Sequence, residues 1–308
     1  MIGYVFSGQG AQFAGMGKDL AEADPDIMAL YDRANEVLGF DLKAVCFEGP
    51  AEALTKSDVC QPAIFTTSMA CLAAFKKAHP KVAAQCLAGL SLGEWTALCA
   101  AGVLGFEDTL KILHARGTFM QEACDANPGG MLSVMGATDE QLAGLCEAAG
   151  ISIANINSSA QVVLSGAKDG IEKAKALCAE QKIKAIPLQV AGAFHSLLMK
   201  PAREKLAELF ASFEFAKPEM TVYANYTGKP HEPCGYLVRD AMLLQVTETV
   251  RWADCVQNMI ASGVTSFIEF GPGKILSGLI NRINKDVNVQ NIQDAKTLES
   301  FGSVPLPS

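Results

Sequence analysis

The sequence predicts an α/β fold with a largely parallel sheet and a small inserted subdomain of the ferredoxin-like type. Along most of the 308 residues, short apolar and β-branched segments alternate with helical patterns, an order that places helices against a parallel sheet. Between residues 131 and 190 the order becomes strand, helix, strand, strand, helix, strand, which is that of a ferredoxin-like unit. Half of the residues are hydrophobic, which is enough to build a large core.

The elements outside the insert begin with a predicted buried strand at 2–6 and a glycine-rich turn. Further elements before the insert are helices at 25–38 and 61–78, a strand at 86–88, and helices at 94–101 and 107–124. After the insert come a helix at 197–211, a strand at 221–225, a helix at 248–262, a strand at 266–270, a helix after Gly273 and a strand at 287–292. The tail at 300–308 has no periodicity and is expected to be loosely held.

The insert has predicted strands at 131–134, 151–156, 161–165 and 183–190, and predicted helices at 139–149 and 170–181. The run Asn127-Pro128-Gly129-Gly130 precedes it and is typical of a turn between structural units. We therefore predict a large subdomain formed by residues 1–126 and 197–308 and a small ferredoxin-like subdomain at 127–196.

Composition and charge indicate which binding partners and which cellular compartment are expected for this protein. The formal net charge of −8 argues against nucleic acid as the main partner. Ten cysteines without a Cys-x-x-Cys pair favour free thiols in a reducing compartment, and the four histidines show no metal-ligand spacing. The N-terminus lacks the pattern of a signal peptide, and no apolar run reaches the ~20 residues of a membrane span. We expect a cytoplasmic protein that binds no cofactor, metal or nucleic acid and does not associate with a membrane.

A candidate nucleophile lies in the pentapeptide Gly89-Leu90-Ser91-Leu92-Gly93, between a short apolar strand and a helix. This is the context of a nucleophile elbow, a tight turn where flanking glycines leave room and the serine hydroxyl stands at the positive end of the next helix. A chance match is expected in roughly a tenth of chains this long, so the strand–turn–helix context carries the prediction.

A serine hydroxyl needs a base, and His195 is the best candidate because it follows a predicted strand in a loop. Its ordinary pKa near 6.5 suits proton transfer at neutral pH, although a purely structural histidine is also consistent with the pattern. The turn Ser7-Gly8-Gln9-Gly10 offers backbone N–H groups for an oxyanion, or is a plain tight turn. A dinucleotide fingerprint fails because Phe13 stands where a third glycine is needed, and a Walker A pattern fails around Gly273.

Arg116 is a candidate for binding a carboxylate, because its planar guanidinium can bond both oxygens. Gly117 follows it inside a predicted helix, where glycine costs roughly 1 kcal/mol, so another backbone or a ligand is expected to approach closely there. From spacing alone, a solvated surface arginine is the favoured interpretation.

Taken together, the motifs resemble those of the malonyl-CoA:acyl carrier protein transacylase family over about residues 2–292. Seven segments carry the resemblance in the family's order: Phe6–Gln12, Gly89–Glu94, Arg116-Gly117-x-x-Met120-Gln121, Asn157 with Gln161–Gly166, Phe194-His195-Ser196, Gln245 with Val250-Arg251-Trp252, and Glu269-x-Gly271-Pro272-Gly273. The resemblance implies a hydrolase-like α/β core with the ferredoxin-like insert.

By position, the resemblance implies that Ser91 is the nucleophile and His195 its base. The backbone N–H groups of Gln9 and Leu92 would form the oxyanion hole. Gln245 would help to hold His195, in place of the acid of a full triad, and would belong to the substrate-binding set. The roles of Leu92 and Gln245 come from the family and not from the spacing of the residues.

The resemblance also implies a substrate-binding set. Arg116 would pair with the malonyl carboxylate, Phe194 resembles the malonyl-selective form of the histidine loop, and Asn157 would contribute from the small subdomain. The chain departs from the family where Leu90 replaces the usual histidine before the nucleophile and where Thr249 replaces a common proline. The first departure is expected to alter packing beside the acyl pocket.

The implied activity is transfer of a malonyl group from malonyl-CoA, as substrate, to the phosphopantetheine thiol of an acyl carrier protein for fatty acid biosynthesis. The mechanism would be ping-pong through a malonyl-serine ester. Three alternatives remain open: a trans-acting polyketide acyltransferase, a serine thioesterase or hydrolase on the same elbow, and a non-catalytic carrier-docking subunit. A hydrolase would be expected to supply an acid after the nucleophile, and the sequence shows no clear one.

Overall fold

The computed structural model describes residues 1–302, so most of the predicted tail at 300–308 lies outside the described residues. The strands are β1 (Ile2–Phe6), β2 (Cys86–Gly89), β3 (Gly129–Met135), β4 (Ser152–Ser158), β5 (Gln161–Ala167), β6 (Lys184–Pro187), β7 (Thr221–Val222), β8 (Ser266–Phe270) and β9 (Asn288–Ile292). The helices before β4 are α1 (Lys18–Ala23), α2 (Pro25–Leu38), α3 (Leu42–Glu48), α4 (Ser57–Ala78), α5 (Leu92–Ala100), α6 (Phe106–Ala126) and α7 (Asp139–Ala149). The later helices are α8 (Lys168–Glu180), α9 (Lys200–Phe210), α10 (Gly235–Gln245), α11 (Trp252–Ala261), α12 (Ile275–Ile283) and α13 (Ala295–Glu299).

The larger sheet is parallel, with strand order β7-β2-β1-β8-β9. Its central strands are buried on both faces, which is why they read as continuous apolar runs in the sequence. The register pairs Phe6 with Gly89 and with Phe270, so β1, β2 and β8 end at the same level. The turns that follow these strands therefore meet at one edge of the sheet, where parallel α/β proteins build their sites.

The smaller sheet is antiparallel, with strand order β4-β5-β3-β6, and α7 and α8 pack on it. Its apolar core is separate from the main core. The backbone of Val250 joins the two parts, because it donates to Ala154 O at 2.8 Å and accepts from Ile156 N at 2.9 Å. The segment before α11 thus fixes the edge strand β4 against the larger unit.

Helices α4 and α6 pack closely against each other. A Cβ atom on Gly117 would lie 2.3 Å from the backbone oxygen of Ser57, so only glycine fits there. The close approach expected from the sequence at Gly117 is confirmed, and the approaching group is a backbone rather than a ligand. This packing also brings the buried side chain of Arg116 toward the sheet edge.

Several predicted elements differ from the structure. Helix α10 (Gly235–Gln245) was not predicted, because it follows a proline- and glycine-containing segment that is typical of a loop. The helix predicted from residue 248 begins at Trp252, since Val250 pairs with β4 instead. Strands β6 and β7 are shorter than predicted. Within residues 1–302, none of the helices has the length and apolarity needed to cross a bilayer.

Candidate active site

The turn between β2 and α5 holds Ser91 in a backbone conformation that few residues adopt. Ser91 has φ 53° and ψ −99° and stands at the N-terminus of α5. A Cβ atom on Gly89 would lie 2.0 Å from the carbonyl group of Gly93, and one on Gly93 would lie 2.1 Å from Phe6 O. Both glycines are therefore required by contact, as the elbow motif predicts.

Asn225, just beyond β7, holds this turn from outside it. Its side-chain oxygen accepts from Ser91 N at 2.6 Å, and its side-chain nitrogen donates to Gly89 O at 2.8 Å. One buried amide thus satisfies both backbone groups that the sharp bend leaves without partners. No motif in the sequence points to this residue, because it lies 134 residues from the serine in the chain.

Ser91 and His195 are in direct contact. Ser91 Oγ lies 2.8 Å from His195 Nε2, and both residues are buried. His195 Nδ1 lies 2.8 Å from the backbone oxygen of Gln245, which can only accept, so Nδ1 carries the proton. The other ring nitrogen is left free to accept the serine proton, which is the geometry of a nucleophile and its base.

Burial and, to a smaller extent, the nearby positive charge of Arg116 lower the pKa of His195 to about 4, although the hydrogen bond to Gln245 O opposes the shift. The imidazole is therefore neutral at pH 7 and can accept a proton. The interpretation of His195 as only a structural histidine does not account for its contact with Ser91.

Arg116 is buried rather than a solvated surface residue, so the interpretation favoured by spacing alone was wrong. Its Nη1 donates to Gln61 Oε1 at 2.7 Å, and its Nη2 donates to Ser91 Oγ at 3.1 Å and to Gln245 Oε1 at 3.2 Å. Burial lowers the pKa of Arg116 to about 10 and Glu94 opposes that shift, so the guanidinium is charged at neutral pH. A buried cation beside a candidate nucleophile is suited to binding an anionic substrate group.

Gln245 contacts the site through both its backbone and its side chain. Its carbonyl oxygen accepts from His195, and its Nε2 donates to Ser91 O at 2.9 Å and to Glu94 Oε2. Glu94 Oε1 in turn accepts from His231 Nε2 at 2.7 Å. Glu94 ends the elbow motif, but nothing in the sequence predicts its contact with His231, because 137 residues separate the two.

The turn after β1 lies against the elbow. A Cβ atom on Gly8 would be 2.6 Å from Leu90 O, so the two turns touch through their backbones. Gln9 follows Gly8, and its side chain bonds Ser57 and Gln61, the partner of Arg116. Leu92 is the first residue of α5, where a backbone N–H has no acceptor within the helix. Both predicted oxyanion amides thus belong to the two turns that meet beside Ser91.

The other predicted residues divide between the site and its periphery. Phe194 is buried in the main core directly before His195, and Leu90 packs half-buried against a second apolar cluster. Asn157 lies on β4, and no hydrogen bond joins it to Ser91, His195 or Arg116 among residues 1–302. Its side-chain oxygen is buried and has no partner within that range. Residues 1–302 contain no group of three or more His, Cys, Asp or Glu side chains placed to hold a metal ion.

A serine activated by a neutral histidine, on a glycine-flanked turn of a parallel α/β sheet, defines a class of enzymes that transfer acyl groups through the serine oxygen. Comparison with known proteins agrees. The profile of the acyl transferase domain matches residues 3–303, and the chain belongs to that family.

Relatives cover nearly the whole chain. A malonyl CoA-acyl carrier protein transacylase of Bacillus subtilis is 39% identical over 304 residues, which are 97% of this chain and 95% of the relative. The crystal structure of a malonyl CoA-acyl carrier protein transacylase from Clostridium perfringens is 38% identical, with a TM-score of 0.93 over 98% of this chain and 96% of its own. A malonyl-transacylase in complex with a type II PKS acyl-carrier protein is 35% identical, with a TM-score of 0.93 over 97% of this chain and 98% of its own.

Proposed function

We propose that this enzyme moves a malonyl group from malonyl-CoA to the phosphopantetheine thiol of an acyl carrier protein in fatty acid biosynthesis. One observation carries the proposal: Ser91 Oγ contacts both His195 Nε2, at 2.8 Å, and Arg116 Nη2, at 3.1 Å. The nucleophile thus lies between a base that accepts its proton and a buried cation that can bind the free carboxylate of a malonyl group.

In the acylation step, His195 takes the Ser91 proton as Oγ attacks the thioester carbonyl of malonyl-CoA. The C–S bond breaks, and the CoA sulfur leaves with the proton that His195 returns to it. In the second step the carrier protein's thiol gives its proton to His195 and attacks the malonyl ester, which regenerates the Ser91 hydroxyl. CoA leaves before the carrier protein's thiol reacts with the malonyl-serine ester, so the kinetics are ping-pong. The enzyme needs no bound cofactor for either step.

The carbonyl oxygen gains negative charge in both steps, and the backbone N–H groups of Gln9 and Leu92 supply the donors. Their support is positional: Leu92 begins α5, and the turn of Gln9 touches the elbow through Gly8. A single donor in such a site is worth about 3 kcal/mol of transition-state stabilisation.

Substrate choice rests on Arg116 and on the residues around it. In the free enzyme its guanidinium is occupied by Gln61, Ser91 and Gln245, and a malonyl carboxylate would replace part of this set with two charge-assisted bonds. Phe194, buried beside His195, would limit the room for a larger α-branch. Asn157 would contribute from β4, where its buried side-chain oxygen has no partner among residues 1–302.

Polyketide synthesis is a second candidate pathway for the same reaction. A malonyl-transacylase that binds a type II PKS acyl-carrier protein is similar to this chain over nearly its full length. A hydrolase is less well supported, because the position of a triad acid at His195 Nδ1 is occupied by the backbone carbonyl of Gln245. The pathway would be decided by which carrier protein of the organism is the faster acceptor.

We also propose the finer description of the fold. The strand order β4-β5-β3-β6 with α7 and α8 supports a ferredoxin-like subdomain at 127–196. The elbow between β2 and α5 supports a hydrolase-like large subdomain formed by 1–126 and 197–302, and the end of the predicted range 197–308 lies outside the described residues. A cytoplasmic location stays a prediction.

Intact-mass measurement tests the central step. Wild-type enzyme mixed with malonyl-CoA should gain one malonyl group, and adding a phosphopantetheinylated carrier protein should move that group to the carrier. Ser91→Ala should show neither event, while Ser159→Ala, at an exposed position, should behave as wild type. A malonyl adduct that persists on Ser91→Ala would refute the nucleophile, and rapid release of free malonate without a thiol would indicate a hydrolase.

A further inference from the structure

Behind the candidate active site lies a buried carboxylate joined to a buried imidazole. The side chains of Glu94 and His231 are 1% and 2% exposed, and their contact is 2.7 Å long. By contrast, each ion pair formed by lysine or arginine within residues 1–302 has at least one side chain that is 45% or more exposed. Moving a carboxylate out of water costs free energy, so a buried pair of this kind contributes little to the stability of the fold. A role in positioning other groups explains its presence better.

The second oxygen of Glu94 determines how the Gln245 amide is oriented. A carboxylate can only accept hydrogen bonds, so the Gln245 NH2 group must face Glu94 Oε2, and the same group also donates to Ser91 O. The amide oxygen is thereby turned the other way, where it accepts from Arg116 Nη2 at 3.2 Å. Glu94 therefore fixes one acceptor of the guanidinium without touching that acceptor itself.

The same glutamine also connects this pair to the base. The carbonyl oxygen of Gln245 accepts from His195 Nδ1 at 2.8 Å, at the last residue of α10. Displacement of Gln245 would move the acceptor that holds the imidazole as well as the one that holds the guanidinium. One residue thus transmits the position of Glu94 to both groups beside Ser91.

His231 donates the hydrogen bond that Glu94 Oε1 accepts. It lies in the segment between β7 and α10, and its own backbone N–H donates to Val222 O at 2.8 Å, which fixes the segment against the sheet. Its Nε2 occupies Glu94 Oε1, so only Oε2 is left for Gln245. Without that donor, one oxygen of a buried carboxylate would lose its partner, and the carboxylate could rotate away from Gln245.

We propose that His231 is a positioning residue of the acyl transfer reaction: by bonding one oxygen of Glu94 it holds the other on Gln245, and so fixes the Arg116 guanidinium and the His195 imidazole beside Ser91. This rests on the proposed function, because it takes the malonyl carboxylate to be the ligand of Arg116.

The test compares His231→Leu with His231→Gln in the full chain, using malonyl-CoA and acetyl-CoA as donors. Rates are expressed per active site, counted as the acylated fraction in intact-mass spectra. His231→Leu should lower the malonyl-to-acetyl ratio of kcat/KM about tenfold, the scale expected from losing one hydrogen bond to a charged group. His231→Gln keeps an N–H donor and should recover most of the ratio. The matched control is His79→Leu, which changes a histidine packed against Phe75 away from the site and should leave the ratio unchanged.

A purely structural role makes a different prediction, because His231→Leu would then lower the thermal unfolding midpoint and the acylated fraction but leave the ratio per site unchanged. That result overturns the proposal. If His231→Leu does not fold, Glu94→Gln is the second variant, because one amide group cannot accept hydrogen bonds on both sides from His231 and Gln245. This variant should lower the malonyl-to-acetyl ratio by a similar factor, and an unchanged ratio would also refute the inference. Failure of the proposed function is distinguishable, because wild-type enzyme would then form no malonyl adduct or would release it as free malonate without a thiol.

Discussion

Arg116→Met separates substrate binding from the other tasks of the site. Methionine keeps a long, flexible side chain in the buried space, so the cavity left behind is small. It removes the positive charge and the three hydrogen bonds to Gln61, Ser91 and Gln245. If Arg116 binds the malonyl carboxylate, malonyl-CoA should lose most of its advantage over acetyl-CoA, which has no carboxylate to lose.

The size of the effect follows from the contacts of the guanidinium. Two charge-assisted hydrogen bonds to a carboxylate contribute about 1.5–3 kcal/mol each. The guanidinium gives up part of its bonds to neutral oxygens when the substrate binds, so the net discrimination is about 2–3 kcal/mol. That energy corresponds to a roughly 30- to 150-fold fall in the malonyl-to-acetyl ratio of kcat/KM.

The assay measures acyl transfer to a phosphopantetheinylated carrier protein with each acyl-CoA under conditions of low donor concentration. Arg116→Lys is the informative control, because it keeps the charge but not the planar fork, and should fall between wild type and Arg116→Met. The reasoning is refuted if Arg116→Met remains folded and acylated yet discriminates between the two donors as wild type does.

Three further results are expected. Because burial lowers the pKa of His195 to about 4, kcat/KM for malonyl-CoA should stay constant down to about pH 5, and a fall in kcat/KM near pH 6.5 would contradict this. Keeping this imidazole neutral also contributes about 3 kcal/mol to the free energy of unfolding, which should be present above pH 6.5 and lost as the pH falls toward 4. Gly117→Ala should lower the free energy of unfolding, measured in urea, by about 2–3 kcal/mol. Gly144 lies on a helix surface with no atom within 4 Å of a new Cβ, so Gly144→Ala should raise this free energy by up to about 1 kcal/mol. Equal effects of the two substitutions would argue against the steric explanation. Asn225→Ala should slow acylation of Ser91 roughly tenfold in stopped-flow measurements, and an unchanged rate would show that the elbow holds without that amide.

The elbow could be predicted from sequence because its constraints are local. Gly89 and Gly93 are needed by contacts with residues at most four positions apart or on the adjacent strand, and a strand followed by a helix is visible as a change of hydrophobic period. The parallel sheet follows from the alternation of strands and helices in the same way. Local chemistry is therefore enough to predict the candidate nucleophile and the sheet edge on which it stands.

The rest of the site depends on contacts between distant parts of the chain. Arg116 is indistinguishable from a surface arginine in its own helix, and only the approach of α4 and α10 shows that it is buried. Asn225 and His231 lie 134 and 137 residues from their partners, and neither stands in a recognisable motif. Helix α10 was missed for a related reason, since tertiary packing rather than a strong capping signal determines where it begins.

The distribution of backbone strain supports the same assignment independently of any motif. Among residues 1–302, three non-glycine residues have left-handed φ values: Ser91 at 53°, Lys182 at 57° and His195 at 54°. Such conformations cost about 1–3 kcal/mol each and persist where the surroundings impose them. Lys182 lies in a turn after α8, where one left-handed residue commonly ends a helix. The other two are the buried residues whose side chains touch at 2.8 Å, although 104 positions separate them. Strain on both members of one contacting pair is accounted for if the fold holds Ser91 and His195 in the geometry that proton transfer requires.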